Sequence, residues 1–484
     1  DLLRHLADSL ESASVLVSHD LGVVAGTCDR GAVLYAGRVV ETGPTDVVFG
    51  VPTHPYTAGL LRSVPRIDQA IARLPFIPGQ PPAPGESFAG CGFAPRCPGA
   101  DQLCFTEVPR LVDRGDGRSS ACHHPEAAKT AFPTSITTVD IASAPVTHHT
   151  AEVARGEQLV ELTGGRRHYR ARRSDPPVRA VDGVDLEIRR GEFLGLVGES
   201  GCGKSTLGRI LAGLDDLDDG NLSFDGRSVA KLRSSARREF RRRAQLIFQD
   251  PRSSLDRRMS IGDQLAEGLR NAGVPRESRA ARVAELLELV GLPGGCATRL
   301  PGEFSGGQAQ RVAIARSLSV DPDLLIADEA VSSLDVSIKG QVVNLLRDLQ
   351  RELGLSVLFI SHDLGVVRQV ADRVAVMYLG RFVEVAETNQ LFTAPQHPYT
   401  QALLSAIPLP DPTIERKRQR ILLTGDVPSP AAPPPGCRFH TRCQVGPCSK
   451  PERTRCVDEV PELRAVAGAQ VACHFAEEEG TVRP

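Results

Sequence analysis

The sequence predicts an α/β fold built around a phosphate-binding loop, and two strand-like runs and one long-range repeat predict it. Leu194-Gly195-Leu196-Val197 is a short apolar run of the kind that fills a buried strand. It leads into Gly198-Glu199-Ser200-Gly201-Cys202-Gly203-Lys204-Ser205-Thr206 and then an amphipathic stretch from Leu207 to Leu214. Leu324-Leu325-Ile326-Ala327 is a second such run and ends in Asp328-Glu329. Val17-Ser18-His19-Asp20-Leu21-Gly22-Val23-Val24 returns as Ile360-Ser361-His362-Asp363-Leu364-Gly365-Val366-Val367. The chain therefore holds two related domains rather than one.

The first run satisfies G-x-x-x-x-G-K-S, with a strand before it and a helix after it. Glycines let backbone N–H groups curl around phosphate oxygens, and the helix N-terminus adds partial positive charge. Lys204 can reach the β- and γ-phosphates, and the Ser205 hydroxyl can ligate Mg²⁺. Asp328 suits the outer coordination of that Mg²⁺. Glu329 suits a general base that polarises an attacking water. An apolar run ending in Asp-Glu is usually no more than a strand end, so this pair gains meaning only from its company.

The repeat has a constant offset. His19 and His362 are 343 positions apart, as are Tyr56 and Tyr399. On that register residue 1 aligns with Asn344, so the first copy begins deep inside its domain. The expected organisation is a rear part of a first domain over 1–60, a Cys-rich extension over 61–125, and an Ala/Thr/Ser/Pro-rich linker over 126–156. A complete second domain is expected over 157–400 and a second Cys-rich extension over 401–484. The missing front part, and the absence of a starting Met, suggest a longer native chain.

Bulk composition narrows the class. Among 484 residues, 57 basic and 59 acidic side chains leave a formal net charge of −2, which argues against a nucleic-acid partner. The basic run Arg237-Arg238 and Arg241-Arg242-Arg243 is expected to be a solvated helix face. No apolar run of about 18 residues is present to span a bilayer, and Asp1-Leu2-Leu3-Arg4-His5 does not read as a signal peptide. Of twelve cysteines, nine fall into two clusters, which without a secretory signal reads as metal ligation before disulfides.

Between the phosphate loop and the acidic strand end lies Phe304-Ser305-Gly306-Gly307-Gln308-Ala309-Gln310-Arg311. This resembles the signature of ABC-type ATPases, a P-loop NTPase family with an added helical subdomain. The other members of that set follow in order. Gln249, after Ala244–Phe248, resembles the Q-loop glutamine; Ser332-Ser333-Leu334-Asp335 resembles the D-loop; His362 resembles the switch histidine. The resemblance implies catalysis by Glu329, His362 and Gln249, and Mg²⁺ held by Ser205, Gln249 and Asp328. It implies ATP held by Gly198 through Thr206, with the signature residues Ser305, Gly306, Gly307 and Gln308 facing a second ATPase domain. The family places an aromatic residue upstream to stack on adenine, and Tyr169 is the candidate. Two positions depart from the commonest wording: Ala330-Val331 stands where Pro-Thr is usual, and Ala309 where a basic or polar residue is common.

Gln249-Asp250-Pro251-Arg252-Ser253-Ser254-Leu255 and His397-Pro398-Tyr399-Thr400 are similar to the oligopeptide and dipeptide importers of that family. The implied function is ATP hydrolysis that powers uptake of peptides or related solutes through membrane permease subunits. An extracytoplasmic solute-binding protein would be an indirect partner. The implied location is peripheral, on the cytoplasmic face of the plasma membrane. The extensions carry Cys91, Cys97, Cys104 and Cys122, and Cys437, Cys443, Cys456 and Cys473, with Cys448 extra. Four thiolates suit a 4Fe–4S cluster or tetrahedral Zn²⁺; the resemblance favours iron–sulfur, expected to be structural and far from the phosphates. Two other readings remain in play. One is a soluble ABC ATPase not coupled to transport, and the other a non-enzymatic metal-binding regulator built on the cysteine clusters.

Overall fold

The computed structural model of the chain describes residues 6, 9–69, 71, 73–82, 85–131, 156–170, 172 and 174–477. They divide into two compact units. One comprises Asp1–Val146 with Asp335–Gln341 and Ile407–Arg420; the other comprises Thr147–Leu334, Val342–Ala406 and Ile421–Pro484. Most of the expected linker, 132–155, lies outside the described residues.

Apolar runs without alternation bury both faces of a strand, and the larger unit is built on five of them. Ala244–Ile247, Leu324–Asp328, Ser356–Ile360, Phe193–Val197 and Arg373–Tyr378 lie side by side in that order, all parallel. Every residue of Phe193–Val197 and Ser356–Ile360 is buried. Arg381–Glu387 then pairs antiparallel, and two short strands of the second Cys-rich extension, Ala469–Val471 and Arg464–Val466, complete an eight-stranded sheet. The extension is thus continuous with the ATPase-like sheet. The helices Lys204–Leu211 and Leu364–Val370 pack on the parallel strands.

A four-stranded antiparallel sheet of Val178–Arg189, Gln158–Tyr169, Asp219–Phe224 and Arg227–Ser228 shares one apolar core with the parallel strands. That core joins Leu159, Ile188, Leu196, Leu207, Ile326 and Met377. The helices Ile261–Asn271, Arg276–Leu289 and Gly306–Leu318 pack on one another as a helical layer. No described helix is long and apolar enough to cross a membrane.

The smaller unit has a sheet of Arg30–Tyr35, Arg38–Pro44, Arg118–Ser120 and Val112–Gly115. Its core gathers Tyr35, Val40, Ala58, Ile77, Phe93 and Ala128. Ala128 belongs to a short helix, Ala127–Ala131, inside the stretch expected to be linker. The small side chain of Ala128 packs into that core.

All five arginines of the basic run lie on the helix Ser234–Arg243, exposed or half-buried, and most also have partners: Arg237 pairs with Asp216. Arg241 Nε donates to the Gly213 carbonyl (2.9 Å), Arg242 Nη1 to the Val320 carbonyl (2.9 Å), and Arg243 pairs with Asp225 and Asp323. They satisfy carbonyls and carboxylates at the end of a strand-entry helix, a role charge counting cannot see.

Candidate functional site

The phosphate loop has the backbone its glycines allow. Gly198, Gly201 and Gly203 all have positive φ, at 151°, 77° and 112°. A Cβ on Gly203 would come within 1.9 Å of the Ala180 carbonyl, and one on Gly198 within 2.2 Å of the Met377 carbonyl. Only glycine fits either position. Nothing lies within 4 Å of where a Cβ on Gly201 would stand, so the loop is open on that side. The Lys204 ammonium folds over the loop and donates to the carbonyls of Gly198 (2.8 Å) and Glu199 (2.9 Å). Cys202 is buried beneath it, and burial pushes its thiol pKa up. Ser200 is exposed at the rim, and Ser205 and Thr206 open the helix Lys204–Leu211.

The loop and the acidic strand end meet through one hydrogen bond. The Ser205 hydroxyl donates to Asp328 Oδ1 at 3.0 Å, an arrangement that suits joint coordination of Mg²⁺. Burial raises the Asp328 pKa, the Ser205 hydrogen bond lowers it, and the charge of Glu329 raises it further. A cation here would relieve both carboxylates, so the donor set fits a hard divalent ion.

Glu329 is held in a left-handed conformation, φ 49°, rare for a residue with a Cβ. Its N–H donates to the Ile360 carbonyl at 3.0 Å, and its carbonyl accepts from the Ser332 N–H and hydroxyl. The strain turns its carboxylate toward two other candidates. Gln249 Nε2 donates to Oε2 at 3.0 Å, and His362 Nδ1 stands 3.4 Å from Oε1. Two residues as far apart in the chain as 249 and 362 therefore converge on one carboxylate.

The signature residues occupy a different place. Ser305 caps the helix Gly306–Leu318 and forms a reciprocal box with Gln308. Its N–H donates to Gln308 Oε1 (3.0 Å), while the Gln308 N–H donates to Ser305 Oγ (3.3 Å). Arg252, just after Gln249, donates to the Phe304 carbonyl at 3.1 Å and so links the Q-loop segment to the signature. Ala309 and Ala330 are fully buried, which explains an apolar residue at both departing positions. Tyr169 ends the strand Gln158–Tyr169. Its hydroxyl donates to Asp215 (2.8 Å), and the Arg167 guanidinium stands 4.9 Å from its ring centre.

The cysteine sets form two matching nests. In the first, Cys91, Cys97, Cys104 and Cys122 line one pocket, and the Cys91 N–H donates to the Cys104 carbonyl at 2.8 Å. In the second, the Cys437 N–H donates to the Cys456 carbonyl at 2.8 Å. Burial pushes Cys122, Cys437 and Cys443 up to about 12, and raises Cys97, Cys104, Cys456 and Cys473 as well. Among the described residues, three metal-capable groups come within 4.8 Å of one another at Asp101, Cys104 and His124, and no three of the cysteine sulfurs are that close.

The second nest is not remote from the phosphates, contrary to expectation. Arg442, beside Cys443, donates from Nη1 to both Glu199 oxygens, at 3.2 and 3.1 Å. Tyr399 accepts the Glu199 N–H at 3.0 Å. The sequence separation of 243 residues hid this contact, though both copies show Cys-x-Phe-x-x-Arg-Cys.

Comparison with known proteins agrees with this geometry. The ABC transporter family profile matches residues 181–332. The profile described as the oligopeptide/dipeptide transporter C-terminal region matches twice, over 40–104 and 383–446. The oligopeptide transport ATP-binding protein OppD of Mycobacterium tuberculosis is 44% identical over 414 residues, covering 85% of this chain and 68% of that protein. The putative oligopeptide transport ATP-binding protein YkfD of Bacillus subtilis is 48% identical over 320 residues, 66% of this chain and 95% of that one. A putative peptide import ATP-binding protein of Brucella ovis is 50% identical over 309 residues, 64% of this chain and 94% of that one.

Proposed function

Because the chain belongs to the ABC transporter ATP-binding proteins of the oligopeptide/dipeptide type, we propose that it hydrolyses ATP to drive uptake of peptides through partner membrane subunits. The observation that carries this reading is the convergence of Gln249 and His362 on Glu329, across from the Ser205–Asp328 pair.

Hydrolysis of a phosphoanhydride needs charge neutralisation and an aligned water more than covalent help. Lys204 releases the Gly198 and Glu199 carbonyls and turns to the β- and γ-phosphates. Ser205 and Asp328, with Gln249, would hold Mg²⁺, which when bound would neutralise phosphate charge. Glu329 accepts the proton of the attacking water, and His362 and Gln249 fix its carboxylate. Tyr169 stacks on adenine once Arg167 moves off its ring. Ser305 to Gln308 complete the site of a second ATPase domain, which in the native assembly is a fused or separate copy.

The four cysteines of each nest would hold a 4Fe–4S cluster. Burial favours the protonated thiols, and a bound metal would displace those protons and neutralise the thiolates. Four cysteines per nest suit either a 4Fe–4S cluster or tetrahedral Zn²⁺, and either would staple the loop-rich extension.

The function is tested in vesicles carrying the permease subunits and the solute-binding protein. Labelled peptide should accumulate only with ATP and this chain, and the Lys204→Ala chain should support none. Accumulation that is equal without this chain would overturn the proposal.

A further inference from the structure

The phosphate loop of this unit is gripped from beneath by its own Cys-rich extension. Tyr378, Tyr399 and Phe439 form an apolar nest with ring centroids 4.7, 5.3 and 5.4 Å apart. All three rings are buried. Arg442 emerges from this nest with its side chain 9% exposed, and donates to the Tyr378 hydroxyl (3.4 Å) as well as to Glu199. Glu199 is thus held twice, by Tyr399 at its backbone and by Arg442 at its carboxylate. Its carbonyl in turn accepts from Lys204, so three links run from Cys443 to the phosphate-binding ammonium.

The first copy shows what belongs to the nest itself. Tyr35, Tyr56 and Phe93 repeat the ring geometry at 4.6, 5.2 and 5.4 Å. Arg96, beside Cys97, donates to the Tyr35 hydroxyl at 3.3 Å, as Arg442 does to Tyr378. Its remaining donors go to the carbonyls of Pro78 (2.9 Å) and Ile77 (3.2 Å). The arginine and its rings are common to both nests, and in the second the arginine also reaches the Glu199 carboxylate.

We propose that Arg442 is a positioning residue for the nucleotide site: it neutralises Glu199 and fixes the phosphate loop, so the cysteine nest sets the affinity for ATP. The physics is electrostatic. Glu199 places a negative charge on a loop that must receive a triphosphate. With Arg442 paired to it, the loop presents no net charge there. Without Arg442, a half-buried carboxylate is left uncompensated beside the incoming phosphates, and the loop loses its anchor to the extension. This inference rests on the nucleotide-site reading above.

The test is equilibrium binding of Mg·ATP to the full chain, with steady-state hydrolysis and a melting curve for each variant. Arg442→Ala should weaken binding about tenfold and raise KM in step, with kcat within about twofold. Arg442→Lys should keep most of the affinity. Glu199→Gln in the Arg442→Ala background should restore affinity to within about threefold of Glu199→Gln alone, because the stranded charge is gone. A merely structural arginine would show no such rescue. If Arg442→Ala loses its melting transition, Arg442→Gln, which keeps length without charge, is measured in its place against the same rescue. Unchanged affinity in a folded Arg442 variant, or a loss that Glu199→Gln does not relieve, would overturn the proposal. Lys204→Ala separates the two failures: if it too leaves affinity unchanged, the nucleotide-site reading is what falls.

Discussion

The two Cys-rich nests are nearly the same object in two settings. His54 and His397 each cap a helix by accepting the N–H two residues on, at 3.0 Å in both. Glu41 accepts from the N–H groups of Thr53 and His54, and Glu384 from those of Gln396 and His397. A hairpin from each extension pairs with the matching body strand, Glu41 opposite Ser120 and Glu384 opposite Val471. The two nests differ in what the arginine reaches: Arg96 turns to the Pro78 and Ile77 carbonyls, and Arg442 to the Glu199 carboxylate.

That comparison can be broken most forcefully at the cysteines. Cys97→Ser and Cys443→Ser should each remove one cluster, halving the iron and sulfide of anaerobically purified chain. Only Cys443→Ser should also raise the KM for ATP. An equal KM shift from Cys97→Ser would erase the asymmetry, and stoichiometric zinc in colourless protein would replace the cluster.

Truncating the central ring is next in size. Phe93→Ala and Phe439→Ala remove side chains about 1% exposed and should each cost about 3–5 kcal/mol, read as lowered melting temperatures. Phe439→Ala should weaken nucleotide binding as well, and Phe93→Ala should not. Loss of affinity in both would show that the nests are coupled in a way this account does not contain.

Acid should act on both nests alike. Burial depresses the His54 pKa to about 4 and the His397 pKa to about 3. The unfolded histidine titrates near 6.5, so below that pH the unfolded chain binds more protons and stability falls as pH falls. Each histidine's loss runs from about pH 6.5 down to its folded value, and above that window its contribution is complete. Glu384, raised by burial, has the opposite slope. Full loss is on the order of 3 kcal/mol for His54 and 5 kcal/mol for His397. His54→Asn and His397→Asn should each flatten melting temperature against pH between 6 and 4. An unchanged slope in either would contradict the buried neutral histidine.

Cys448 should matter least. It is exposed, its thiol donates to the carbonyls of His440 and Thr441 at 3.3 Å, and the first extension has no counterpart. Cys448→Ser should stay within about 0.5 kcal/mol of the parent and keep its full iron content. Loss of iron would mean that the second nest uses a different ligand set.

Much of the site could be read from sequence because backbone geometry forces residue choice. The turns at Gly198 and Gly203 admit no side chain, so the loop announces itself. Asp328 and Glu329 follow a short apolar run that suits a buried strand, and that run forms one, Leu324–Asp328. The positions of Gln249 and His362 came from their order in the set, and the structure shows what that order does, aiming both at Glu329. What escaped was non-local. Pairing of Glu384 with Val471 gives no periodic signal, so the continuity of the extension with the main sheet was invisible. The Arg442–Glu199 pair lacked any local signal except the shared arginine before the second cysteine. Composition alone could not show that Ala128 packs into a core or which carbonyls and carboxylates the arginine run meets.

The most direct test of the account compares Mg·ATP binding and hydrolysis in the parent chain and Glu329→Gln, measured on the same preparations. The exchange removes the carboxylate proposed to accept a proton and leaves Lys204, Ser205 and Asp328 in place. Affinity should stay within a few-fold while hydrolysis falls by about 10²–10⁴-fold. Hydrolysis that persists near the parent rate would show that the carboxylate on which Gln249 and His362 converge is not the base.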